Sequence, residues 1–171
     1  MTCIEIKQHS TTYSKTLQII FLQVITMATP KYTARAVLDA FYDAERIYMS
    51  ASPDARDFSG MAATMAPDVR LEQTPALPYG GVYIGAKGFQ DWSTQMADYF
   101  DIVDVQNPEI FERPGSDRIT VLSTVHLRVR KTREDLYLPL CQVVTVDLEK
   151  GVMLEMKPFY WDIHLKLSSE C

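Results

Sequence analysis

Between Tyr32 and Ser50 the apolar positions recur with the period of a helix. Ala34, Val37, Leu38, Phe41 and Tyr48 share one stripe, while Arg35, Asp39, Asp43 and Arg46 fall on the opposite, solvated side. At about 100° per residue, Glu45 lands near the middle of the apolar stripe, between Phe41 and Tyr48. A buried, unpaired carboxylate is costly or keeps its proton, so this face points to a polar cavity that holds a ligand or does chemistry. The competing reading has Glu45 at the rim of the stripe, snorkelling, or paired with a core Tyr or His.

Downstream, Pro53 to Asp57 breaks the helix, Phe58–Met65 reads as a short second one, and Val69–Gln73 as a short strand. A loop rich in Pro and Gly, Thr74–Gly81, precedes Val82–Ile84. Gly85 then leads into a third helix, Lys87 to Phe100, with Phe89, Trp92, Met96 and Tyr99 on its stripe. After it the period drops to two. Four β segments follow, near Ile102–Glu112, Arg118–Arg130, Leu136–Leu148 and Val152–Trp161, joined by turn-forming residues. Helices followed by an antiparallel meander predict an α+β domain with the helices on one sheet face.

The turns set an expected register. Three-residue loops at Lys131–Arg133 and Glu149–Gly151 make paired positions add up to 264 and 300, respectively. One face then carries Leu122, Thr124, His126 and Arg128, then Leu138, Leu140, Gln142 and Val144, then Met156, Pro158, Tyr160 and Asp162. His126, Leu138 and Asp162 form one cross-strand row, with His126 and Asp162 about 10 Å apart. A one-residue shift would dissolve that row. The other face carries Val121, Val125, Val143, Thr145, Glu155 and Lys157. It is apolar enough to predict homodimerisation through the outer sheet face.

The 171 residues suit one domain, 47% of them hydrophobic and 23% charged. A net charge of −5, with no Lys/Arg-rich run, argues against nucleic acid as a partner. Cys3, Cys141 and Cys171 show no CxxC spacing and make neither a disulfide framework nor a zinc motif, which suits a reducing, cytoplasmic setting. Thr16–Thr26 is apolar and follows Lys7 and Lys15, but it is too short to span a bilayer. Met27-Ala28-Thr29-Pro30 reads like an ordinary protein start. Residues 1–26 are therefore expected to be an extension, disordered or not native, ahead of a single domain at 27–171; a packed element or a signal peptide are the alternatives.

Several motifs carry a family resemblance: Leu77-Pro78-Tyr79-Gly80-Gly81, Tyr83-x-Gly85, Gly88-Phe89-x-x-Trp92, and Pro158-Phe159-Tyr160-Trp161-Asp162 after the Glu149-Lys150-Gly151 turn. Over Tyr32 to Asp162 the chain resembles the SnoaL-like polyketide cyclase branch of the nuclear transport factor 2-like superfamily. The resemblance implies a cone-shaped α+β barrel, a curved antiparallel sheet wrapped by the N-terminal helices around a ligand pocket. It also implies cyclases, isomerases, dehydratases or epoxide hydrolases that work without cofactor, with some members only binding. Small proteins of this type in fungal secondary-metabolite clusters isomerise or cyclise oxidised aromatic polyketides. Two departures stand out. Relatives often carry His where this chain has Glu72, and the Asp-Arg-Asp set of limonene-epoxide hydrolases is not recognisable, although Arg128 and Asp162 resemble two thirds of it.

The acid/base candidates are Glu45, Glu72, His126 and Asp162. Moving a proton next to a carbonyl needs titratable groups on either side of a flat substrate, each contributing about 10²–10⁴-fold. Each has a structural alternative: a hydrogen-bonded strand His, a loop-ordering Glu72, an Asp162 that accepts backbone N–H bonds. Tyr42, Trp92, Met96, Tyr99 and Tyr160 would wall an aromatic ligand, and Arg128 and Gln142 would hold an oxygen. Cys141 has the wrong parity to face the pocket. No phosphate loop, nucleotide-binding glycine motif, metal-ligand cluster or Ser-His-Asp pattern is present. The expectation is a cofactor-free isomerase or cyclase on a polyketide, with an epoxide-opening enzyme and a non-catalytic binding module as rivals.

Overall fold

The computed structural model describes residues 30–113 and 116–161; the expected extension and Asp162 lie outside the described residues. Helix α1 (Ala34–Ser50) starts where Thr33, itself extended, accepts a hydrogen bond from the Ala36 N–H through its side chain at 3.1 Å. It ends at extended Ala51, just before a single 3₁₀ turn at Pro53–Ala55. Its buried positions are the expected stripe widened by Tyr42 and Met49, with Glu45 among them. The second helix, α2, is only one turn, Ser59–Ala62, because the chain turns extended at Met65. Strand β1 therefore runs Met65–Gln73 and is longer than its alternation suggested.

Thr74–Gly80 is held by backbone bonds from Leu77 N–H to Thr74 O and from Gly80 N–H to Leu77 O. Position 80 must be glycine, since a Cβ there would lie 2.3 Å from Thr74 O and 2.8 Å from Pro75 Cα, both backbone atoms. After β2 (Gly81–Ile84), helix α3 (Gly85–Tyr99) buries Phe89, Trp92, Ser93, Met96 and Ala97. The remaining strands are β3 (Phe100–Glu112), β4 (Arg118–Val129), β5 (Asp135–Asp147) and β6 (Val152–Tyr160).

The six strands make one sheet in the order β2-β1-β6-β5-β4-β3. Strands β3 to β6 are the expected antiparallel meander, but β1 joins β6 in parallel, so the sheet is mixed and does not close into a barrel. The curved sheet with its few helices is the α+β architecture anticipated from the motifs.

The register differs from expectation on one side only. Between β4 and β5 the loop has four residues, with Val129 N–H bonded to Glu134 O and Arg133 in the left-handed region at φ 66°. His126 therefore pairs with Tyr137, not Leu138, and every β4 side chain changes face. Ile119, Val121, Val125 and Leu127 point into the core. His126 and Arg128 point out, and so do Leu122 and Thr124. Between β5 and β6 the expected pairs hold from Leu140 with Tyr160 to Thr145 with Glu155. They do so because two one-residue deviations cancel: the turn begins at Leu148 rather than Glu149, and the register slips at Leu154.

Candidate active site

Five elements bring the polar and aromatic lining of a cavity between helices and sheet: α1 brings Glu45, the end of β1 brings Gln73, α3 brings Trp92 and Met96, and β5 and β6 bring Gln142 and Tyr160. Val103, Val105, Val125 and Leu140 complete apolar walls. The space open to a water-sized group there is about 20 Å³, enough for one such group.

Glu45 is 5% exposed, and its carboxyl has no hydrogen-bond partner among the described residues. Burial pushes its pKa up to about 8, with the outward Arg46 guanidinium opposing weakly. Strong perturbation at a cavity wall marks a functional candidate. Neighbouring polar groups are also buried. The Tyr42 hydroxyl donates to Gln142 Oε1 at 2.6 Å, and Gln142 Nε2 reaches Met156 Sδ at 3.5 Å. Burial, then the nearby Glu45, raises the Tyr42 phenol. Burial also raises Tyr160, the Gln73 amide offsets part of the rise, and Glu45 adds to it. Trp92 Nε1, Gln73 Oε1 and the Tyr79 hydroxyl are buried with no partner.

Five of the residues singled out from sequence line this cavity: Glu45, Trp92, Met96, Gln142 and Tyr160. Tyr42 stands behind Gln142 as its hydrogen-bond partner. The other described candidates lie elsewhere. Tyr99 is 40% exposed at the end of α3, its ring 5.9 Å from that of Tyr79. Glu72 points outward between Lys157 at 2.6 Å and Arg70 at 2.7 Å, and those cations hold its carboxyl below the usual range.

His126, on the outer face because of the four-residue turn, stacks on Tyr137 at 4.5 Å with Nε2 2.7 Å from Asp135 Oδ1. Arg128 binds the same carboxylate through Nε at 2.9 Å. The Arg128 and His126 hydrogen bonds hold Asp135 at about 2. The row of His126, Leu138 and Asp162 is therefore not formed. Cys141 faces away from the cavity, into an outer groove. Gln73 and Tyr79 were not singled out. Gln73 did carry a signal: it shares strand parity with Val69 and Leu71, a polar residue on an apolar face. Tyr79 lies in a loop, and its signal was its place in the Leu77–Gly81 motif. Among the described residues no group of three or more His, Cys, Asp or Glu is placed to hold a metal, and no helix is long and apolar enough to cross a membrane.

No family profile and no curated protein matches the chain by sequence. Solved structures do match by shape. TerC, co-crystallized with polyporic acid, is 18% identical with a TM-score of 0.64, covering 84% of this chain and 100% of its own. A SnoaL-like polyketide cyclase candidate from Shewanella denitrificans is 12% identical with a TM-score of 0.61, covering 80% and 97%. An NTF2-like protein of unknown function from Burkholderia pseudomallei is 20% identical with a TM-score of 0.60, covering 78% and 92%.

Proposed function

We propose that this chain, which has the nuclear transport factor 2-like fold in its SnoaL-like form, is a cofactor-independent isomerase or cyclase of an oxidised aromatic polyketide, with Glu45 as the proton-transfer group. One observation carries the reading: a buried, unpartnered carboxyl faces a cavity whose wall also holds the unpaired Trp92 Nε1 and Gln73 Oε1. Each unsatisfied buried polar group costs about 1–3 kcal/mol, so folding alone gives no reason to gather two of them beside a buried carboxyl. Enolisation and double-bond migration do give one. A carboxyl that titrates near 8 is mostly neutral at pH 7, so it can donate a proton to a carbonyl oxygen, and its conjugate base is strong enough to remove one from carbon. The apolar walls keep bulk water from a dienol intermediate. The polyporic acid held by TerC supports an aromatic ligand, and the Shewanella protein supports a polyketide.

Two observations favour rivals. The space beside Glu45 is water-sized, which suits an epoxide-opening enzyme whose carboxylate activates water. Glu45 is also the only carboxyl among the described lining residues, which suits a module that binds without reacting.

Comparison of metabolites from the native host, from a strain lacking the gene and from a strain carrying Glu45→Gln separates these readings. The deletion is expected to accumulate an isomer of the normal product, and Glu45→Gln to reproduce that profile. His126→Gln, remote from the cavity, is expected to leave the profile as in wild type. An accumulated epoxide favours the hydrolase, and an unchanged profile removes catalysis.

The proposal includes a homodimer through the outer sheet face. Its support is not Val121 and Val125, which point inward, but exposed Leu122, Phe159 and Trp161, which line an outer groove of about 440 Å³. Sedimentation equilibrium is expected to give twice the 19.5 kDa chain mass; a single-chain mass at micromolar concentration rejects the dimer.

A further inference from the structure

The unused hydrogen-bonding capacity around Glu45 specifies the group that would fill it. Trp92, 2% exposed, and Gln73, 3% exposed, both line the cavity, and each carries a buried polar atom with no partner, the indole Nε1 and the amide Oε1. The indole N–H can only donate, and the amide oxygen can only accept. A ketone or ether oxygen would satisfy Trp92 and leave Gln73 bare. An ammonium would do the reverse.

Volume narrows the choice further. Within about 20 Å³ there is room for about one oxygen-sized group, so donor and acceptor must reside on one atom, as they do in a hydroxyl. Charge narrows it again. No Lys, Arg or His lies among the described lining residues, and the ionisable groups there are Glu45 and Tyr160, neither of which can neutralise an anion. A phenolate or carboxylate head is therefore disfavoured. Room for the rest of the ligand adjoins. Gln73 and Pro158 also line a groove of about 270 Å³ at the carboxyl ends of β1 and β6.

We propose that this cavity seats the neutral hydroxyl of a phenol or enol, which accepts a hydrogen bond from Trp92 Nε1 and donates one to Gln73 Oε1 beside Glu45. The assignment rests on the isomerase reading and deepens it. An enol finds both partners where the corresponding ketone finds one, so the site holds the enol tautomer more tightly than the substrate, as a catalyst of enolisation requires. Trp92 and Gln73 are positioning residues in this scheme.

Calorimetric titration of the full chain with 2-naphthol and with 2-methoxynaphthalene tests it. The ether accepts a hydrogen bond and cannot donate one. Wild type is expected to bind the naphthol about 5–10-fold more tightly than the ether, the worth of one neutral hydrogen bond to a buried acceptor. In Gln73→Leu, of similar shape, that preference is expected to fall to within about twofold. Trp92→Phe is expected to weaken both ligands about equally, by roughly 3–10-fold, since both accept from the indole. Equal binding of the two ligands to wild type, no binding of either, or a preference that survives Gln73→Leu overturns the assignment. If it is overturned while Glu45→Gln still copies the deletion profile, the isomerase reading stands without it. A preference that holds beside an unchanged metabolite profile leaves a hydroxyl-binding site with no catalysis.

Discussion

Across a series of urea titrations from pH 4.5 to pH 9, wild type is expected to lose about 5 kcal/mol of unfolding free energy that Glu45→Gln does not lose. The carboxyl titrates at an ordinary 4.5 when unfolded and at about 8 when buried, and each unit between them is worth about 1.4 kcal/mol. Between those values the folded chain binds one more proton than the unfolded chain, so unfolding free energy falls as pH rises. The contribution is fully present below 4.5 and gone above about 8.

Other carboxylates act in the opposite sense. Asp104, Asp135, Asp147 and Glu72 are held below their usual range by hydrogen bonds and cations, so what they contribute is lost on acidification. Comparing variant with wild type at each pH removes these shared contributions. The Gln variant should be the more stable protein at pH 8.5, since it lacks the carboxyl whose ionisation burial opposes. Parallel curves for the two proteins would mean that Glu45 is hydrated and titrates normally, and the catalytic assignment would lose its physical basis.

Phe41→Ala is expected to cost about 3–5 kcal/mol. The ring is 1% exposed and stands edge-on to Tyr42 at 5.8 Å and to Phe89 at 5.7 Å. Phe89 in turn stands edge-on to Trp92 at 5.0 Å. These rings form a ladder from α1 to α3, and truncation at its first rung leaves a cavity that neither helix can close without leaving the sheet. Chemical denaturation at pH 4.5 is the appropriate measurement, because Glu45 is then protonated in the folded state and its titration does not mix with the packing term. A cost below about 1 kcal/mol would show that the ladder repacks and that Trp92 is not held by it.

The helices and the inward carboxyl were legible because a long helix repeats its stripe several times. Glu45 is read against Ala34, Val37, Leu38, Phe41 and Tyr48 at once, and no single boundary residue can move it to another face. The face of β4 had no such redundancy. Its parity hung on the length of one turn, and Arg133 in a left-handed conformation adds one residue that composition does not announce. That residue put His126 and Arg128 on the outer face and turned Val121 and Val125 inward, Val125 to line the cavity. On β6 the same kind of deviation occurred and was cancelled by the slip at Leu154, so Tyr160 kept its inward place. The parallel partnership of β1 with β6 was out of reach of local pattern altogether, since it joins segments that no turn connects.

That partnership also has a consequence for biosynthesis. Arg70 and Glu155, which pair across it, are 85 residues apart. At about 5–20 residues per second, roughly 4–17 s separate their emergence during translation. Throughout that interval β1 has β2 on one edge and no partner on the other, so the backbone N–H and C=O groups of that second edge are unpaired. Gln73 meets Tyr160 only when β6 docks, so the cavity cannot exist on any shorter nascent chain. The cavity is completed by the last described strand to be synthesised, and a ribosome stalled before it carries an unpaired sheet edge and an unfinished cavity.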